Sequence, residues 1–195
     1  LIREEIETSY KLTVKQALED IEILKGNADK TTVYAHHKFV EPMLHYIVQD
    51  FEKARIAMND NSIGGLVVCD SSQQAKMLFE IFESKYGPTA LHSEPLLKAA
   101  EPSESYGDQK KTESKVTSAA LILHDIGTKQ DRKDKVEDFK DGKIDFMFVY
   151  NMLLTGFDAP RLKKLYIGRV IKAHNLLQTL TRVNRTYKEF KYGYV

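Results

Sequence analysis

Gln178, Arg182 and Arg185 recur at spacings of four and three, which places their side chains on one face of a helix. Arginine in that position can reach a phosphoryl group held by a neighbouring domain and stabilise the charge of its transition state. Spacing alone favours surface decoration. A second segment runs Asn151-Met152-Leu153-Leu154-Thr155-Gly156-Phe157-Asp158-Ala159-Pro160. Thr155 offers a hydroxyl and Asp158 a carboxylate, Gly156 allows close backbone approach or positive φ, and Pro160 stiffens the exit. Alternatively this is a turn with Asp158 as its cap. A third segment, Asp70-Ser71-Ser72, precedes a helix whose N-terminal amides, with the two hydroxyls, can hold a phosphate. Helix capping by Asp70 or Ser71 is its plainer reading.

The elements that carry these segments can be read from periodicity. Gly65 to Cys69 is a short, continuously apolar run, as a strand buried on both faces requires. Gln73 to Tyr86 follows with Ala75, Leu78, Phe79 and Phe82 at helical spacing. Ala119 to Leu123 predicts a second strand, and Lys129 to Lys140 a charged helix burying Val136 and Phe139. Ile144 to Tyr150 and Lys164 to Ile167 predict two more strands, and Asn175 to Val183 a last helix. Strands alternating with helices in this way imply a parallel α/β sheet sandwiched by helices. In an open α/β sheet, ligands are expected at the carboxyl ends of the strands.

Residues 1–62 read as a helical preface or linker and residues 63–195 as the α/β unit. Thr13 and Gln16 resemble a capping box, and Gly26-Asn27 supply a stop. Pro42 fits the first turn of a longer helix, along which Leu44, Ile47, Val48, Phe51, Ala54 and Met58 recur. Residues 93–115 are polar and low in β-branched types, which predicts an exposed insertion. Both ends of the chain, which begins at Leu1 and stops at Tyr192-Gly193-Tyr194-Val195, read as cut from something longer.

With 42% hydrophobic and 29% charged residues the composition is that of a globular protein. No apolar run approaches the roughly 18 to 20 residues of a membrane span. Arg3, Glu4, Glu5 and Glu7 make the first residues too polar for a secretory signal. The single cysteine, Cys69, excludes an internal disulfide and a multi-cysteine metal site, and fits burial as a small hydrophobe in a reducing, cytoplasmic setting. The net charge of +1 is uninformative, but Arg161, Lys163, Lys164, Arg169, Lys172, Arg182, Arg185, Lys188 and Lys191 are opposed only by Glu189 over the last stretch. That run is either a phosphate-facing surface or a solvated face whose acidic complement lies elsewhere in the fold.

The order of these segments narrows the reading. It runs strand, Asp-Ser-Ser, helix; strand, His124-Asp125-x-Gly127, helix; Gly142, strand, Thr-Gly-Phe-Asp-Ala-Pro; then Gln-x-x-x-Arg-x-x-Arg. From about Gly64 to the end this resembles the C-terminal, RecA-like motor lobe of superfamily 2 helicases and translocases. The wording Leu154-Thr155-Gly156-Phe157-Asp158-Ala159-Pro160, Ala173-His174-Asn175-Leu176-Leu177-Gln178 and Thr181-Arg182-Val183-Asn184-Arg185 is similar to the motor subunit of type I restriction endonucleases.

The resemblance implies roles. Gln178, Arg182 and Arg185 match the motif in which the second arginine is the ATP-facing finger and the first lines the nucleotide cleft. Thr155, Gly156 and Asp158 match a motif whose threonine and backbone meet the nucleic-acid backbone and whose aspartate communicates with the nucleotide. Ser71 and Ser72 fall where further phosphate contacts lie. His124 and Gly127 match another backbone-contacting loop, although Asp125-Ile126 departs from the usual His-Gly pair, so a structural histidine stands equally open. No Gly-x-x-x-x-Gly-Lys-Ser/Thr loop, Asp-Glu-x-His pair or nuclease metal set occurs. ATP and Mg are therefore expected to be held mainly by a first motor lobe, and the chain alone is expected neither to hydrolyse ATP nor to cut DNA.

The implied whole is a bacterial or archaeal restriction endonuclease subunit that translocates double-stranded DNA before cleavage. Its implied partners are a first motor lobe and nuclease domain in the same chain, and separate methyltransferase and specificity subunits. A lobe of another superfamily 2 translocase or RNA helicase, and a non-catalytic nucleic-acid-binding module, are the alternatives.

Overall fold

The computed structural model describes residues 33–88, 115–152, 157–171 and 173–195, without the side chains of Ala173 and His174. The predicted helix near Thr13, the insertion up to residue 114, and Thr155 and Gly156 lie outside the described residues.

In chain order the elements are α1 (His37–Met58), β1 (Gly64–Val68), α2 (Ser72–Lys85), β2 (Ala119–Ile122), α3 (Lys129–Lys140), β3 (Phe146–Val149), β4 (Leu162–Ile167) and α4 (Ala173–Val183). The strands form one four-stranded sheet in the order β2-β3-β1-β4, and every pairing is parallel. This is the α/β, RecA-like architecture expected from the alternating pattern. β1 is buried at all five positions, because it has a neighbour on each side and a core on each face.

Alternation along the strands divides the core in two. Val67, Cys69, Leu121, Leu123, Phe146 and Phe148 meet α1 and α2. Around Phe146 the rings pack closely, with Phe51 at 4.5 Å and Phe82 at 6.2 Å between centroids. On the other face Leu66, Val68, Ile122, Met147 and Val149 meet Phe139 of α3, Phe157, and Val183 of α4. Helices thus cover both faces of the sheet. Cys69 is fully buried at the end of β1, and burial pushes its thiol well above the usual range.

Two details differ from the sequence reading. α1 starts at His37 after the cap His36, so Pro42 lies inside the helix rather than in its first turn. The amide it lacks faces the exposed start of the helix, where water can serve the carbonyl instead. β4 starts at Leu162, two residues before the expected strand, because a register shift between Gly64 and Gly65 inserts Lys163 as an extra residue. Leu162 and Leu165, an odd number of residues apart, consequently enter the same core.

Buried charge locks the amino-terminal edge of the sheet. Arg55 of α1 donates to the carboxylate of Asp145 and, at 2.9 Å, to the Ile63 carbonyl. The other Asp145 oxygen accepts from Ser118 Oγ at 3.0 Å and from the Thr117 and Ser118 amides at 3.1 and 3.2 Å. Arg161 donates to the carbonyls of Ser62 and Ile144, each at 2.7 Å. Burial depresses the Arg161 pKa, yet its guanidinium satisfies carbonyls where several elements meet.

Candidate functional site

The sequence from Phe157 to Leu162 turns into β4, while α4 returns antiparallel to it and ends beside the start of that strand. Proximity at this end is tight: a Cβ on Gly193 would lie 2.7 Å from both the Lys163 and the Val183 carbonyl oxygens. Arg182 in the last turn of α4, and Arg185 just beyond the helix end at Val183 rather than on the helix its spacing predicted, therefore stand at the amino-terminal edge of the sheet, next to Phe157 and Asp158.

Contact is direct. Arg182 Nη1 donates to the Phe157 carbonyl at 2.9 Å. Arg185 Nη1 lies 2.7 Å from Asp158 Oδ1, in a pair that is 38% and 56% exposed. Arg182 is half-buried, and its Nε has no hydrogen-bond partner. Gln178 lies one turn earlier on α4, also half-buried. The structure thus joins Arg182, Arg185 and Asp158 in one patch.

The other sequence candidates lie elsewhere. Ser71 is the N-cap of α2, 7% exposed, and its Oγ accepts from the Gln74 amide at 3.1 Å. Ser72 is the first residue of that helix. His124 is exposed in the loop after β2, and its carbonyl accepts from Arg132 at 3.3 Å. Arg132 also donates to the carbonyls of Ile126 and Gly127, at 3.0 and 2.8 Å, holding a loop in which Gly127 has φ of +65°. A salt bridge of 3.0 Å between Lys76 and Asp125 ties this loop to α2. Ser71, Ser72 and His124 thus follow the carboxyl ends of β1 and β2, while the arginine patch lies at the opposite edge. Arg182 and Arg185 lie there because α4 runs back along β4 and ends beside the start of that strand.

The basic run of the sequence divides in the fold. Arg161 and Lys163 are buried, at 3% and 0% exposure. Lys164 pairs with Asp50 at 2.7 Å and Lys188 with Asp60 at 2.8 Å. For Lys164 and Lys188 the acidic complement thus lies elsewhere in the fold, one of the two readings of the run, and the burial of Arg161 and Lys163 keeps the run from being one continuous surface. Burial raises the Asp60 carboxyl, but Lys188 and Ser62 outweigh it and hold the group below its ordinary value.

Sequence reasoning missed Lys163. Its ammonium donates to the Arg185 carbonyl, and burial lowers its pKa. A lysine next to a second lysine gave no sign of burial. The break in alternation between Leu162 and Leu165 was the available signal.

Among the described residues no group of three or more His, Cys, Asp or Glu side chains could hold a metal ion. No helix among them is long and apolar enough to cross a membrane.

Comparison with known proteins fits these observations. The family model described as type I restriction enzyme subunit R domain 3 matches residues 61–195. The chain is 48% identical over 52 residues to the type I restriction enzyme SauCOLORF180P endonuclease subunit of Staphylococcus aureus, which is 27% of this chain and 6% of that relative. It is 49% identical over 51 residues to the SsaAORF53P endonuclease subunit of Staphylococcus saprophyticus, covering 26% of this chain and 6% of that protein. With the HindI endonuclease subunit of Haemophilus influenzae it shares 39% identity over 64 residues, 32% of this chain and 6% of the relative. The chain therefore corresponds to a small part of these subunits' length. Its parallel RecA-like sheet, the ordered motifs carried on it and a family match over most of its residues agree: the chain belongs to the family of domain 3 of type I restriction enzyme R subunits.

Proposed function

We propose that this chain is the second motor lobe of a type I restriction endonuclease subunit, working on double-stranded DNA with ATP and Mg held mainly by a first lobe. The observation that carries the reading is the Arg182–Arg185–Asp158 patch. Arg182 projects from the last turn of α4 and Arg185 from the segment just after it, the second of them 38% exposed and, among the described residues, anchored by a screened carboxylate. A guanidinium so placed can leave its carboxylate for a more strongly charged phosphate. In this reading Arg185 is the finger, while Arg182 and Gln178 line the nucleotide cleft. Gly156 and Asp158 relay nucleotide state to Thr155, which meets the DNA backbone together with Ser71, Ser72 and His124.

The separation of the two residue sets favours two ligands over one. Ser71 contributes through the geometry of the α2 N-terminus, since its hydroxyl is used in capping. ATP turnover would move this lobe along the duplex before a nuclease domain of the same subunit cuts. Methyltransferase and specificity subunits complete the assembly. The chain alone is inactive in hydrolysis, since it has no phosphate-loop sequence.

Displacement of a triplex-forming strand from duplex DNA tests the reading in the full-length subunit assembled with its partner subunits. Arg185→Ala abolishes displacement while DNA binding persists. Displacement by the variant at the unmodified rate would remove the finger assignment, and absence of displacement by the unmodified subunit would remove the motor assignment.

A further inference from the structure

We propose that Lys163 is the positioning residue of the segment just after α4, fixing the backbone from which Arg185 reaches. The inference rests on Arg185 acting as the finger, and extends to a residue no motif contains.

Three observations converge on Lys163. It is the extra residue of the β4 bulge, and a bulge re-aims the side chain it carries. It is 0% exposed, and its ammonium donates to the Arg185 carbonyl. Its own carbonyl accepts from the Tyr194 amide at 2.7 Å. One residue therefore holds both ends of the segment that follows α4. Packing does not require the charge, because an unbranched apolar side chain of similar length fills the volume without desolvating an ammonium.

Further along, the same segment is pinned to the α1–β1 loop. Tyr187 Oη lies 2.9 Å from Ser62 Oγ, and Lys188 reaches both Asp60 and Ser62, at 2.8 and 2.7 Å. The backbone at Arg185 is thus fixed, while among the described residues its guanidinium is held by half-exposed Asp158 alone. A rigid base with a releasable head suits a finger, since a misplacement of about 1 Å can cost on the order of a hundredfold in rate.

The test uses single-turnover ATP hydrolysis by the full-length subunit on duplex DNA, with Lys163→Met, Arg185→Ala and the double variant. Lys163→Met is expected to lower the rate about tenfold or more, with the KM for ATP and DNA affinity within about twofold of wild type. In the Arg185→Ala background the same change is expected to cost less than about twofold, since the two act as a unit. Lys163→Gln, whose amide can donate to the same carbonyl, recovers part of the loss, and it replaces Lys163→Met if that variant fails to fold. An unchanged rate, or equal losses in both backgrounds, overturns the proposal. If Arg185→Ala is itself without effect, the finger reading fails, and amide exchange at 184–187 decides the role of Lys163. Faster exchange there in Lys163→Met, with β1 and β3 unchanged, supports positioning; unchanged exchange overturns it.

Discussion

Asp158→Asn removes the charge that holds Arg185 and leaves a side chain of the same shape. Two unit charges 2.7 Å apart attract by only about 1.5 kcal/mol in water. With the pair 38% and 56% exposed, ordering of the side chains and screening reduce this to about 0.2–1 kcal/mol. A finger that accelerates hydrolysis about a thousandfold stabilises its transition state by roughly 4 kcal/mol. The transition state wins, so Asp158 holds the arginine without trapping it. A double-mutant cycle of Asp158→Asn and Arg185→Gln, followed by urea unfolding with far-UV circular dichroism, measures the coupling; the chain has no tryptophan to report. The expected coupling is below about 1 kcal/mol at 0.1 M salt and fades toward zero at 1 M. A salt-independent coupling of about 2 kcal/mol or more would refute the reasoning.

Other outcomes follow from the same geometry. Asp145→Ala strands the buried Arg55 guanidinium and is expected to cost about 3–5 kcal/mol in urea unfolding; a loss under about 1 kcal/mol would contradict the lock. Arg182→Ala is expected to cost about 1–3 kcal/mol, more than Arg185→Ala, because its partner is the Phe157 carbonyl and its side chain is half-buried; equal unfolding midpoints would count against this. Asp60 has a depressed folded pKa, so its contribution is present above its ordinary value of 3.8 and lost as pH falls through the folded pKa. The stability difference between wild type and Asp60→Asn should be constant near pH 6 and vanish in stronger acid; a difference that persisted there would contradict the assignment.

Much of the fold was legible because buried parallel strands leave continuous apolar runs, as at Leu66-Val67-Val68-Cys69 and Phe146-Met147-Phe148-Val149. The start of β4 was not, since a bulge at Lys163 put a charged residue where alternation was expected. Arg161 and Lys163, within the basic run, read as surface residues, yet each is buried against carbonyls supplied from distant parts of the chain. Local patterns cannot reveal such partners: Arg161 and the Ser62 carbonyl are 99 residues apart. For the candidate site, spacing put Arg182 and Arg185 on one helical face, whereas α4 ends at Val183 and Arg185 follows it, beside Asp158. It gave no indication that this end meets Phe157 and Asp158, a contact set by how α4 folds back along β4. At Ser71 the sequence left capping and phosphate binding open, and the hydrogen bond to the Gln74 amide uses the hydroxyl as a cap.

The central claim is that Arg185 acts on ATP bound outside this chain. Single-turnover hydrolysis by the full-length subunit with Arg185→Ala tests it most directly. The account predicts a fall of about a thousandfold with ATP still bound. A rate within a few-fold of wild type would contradict it.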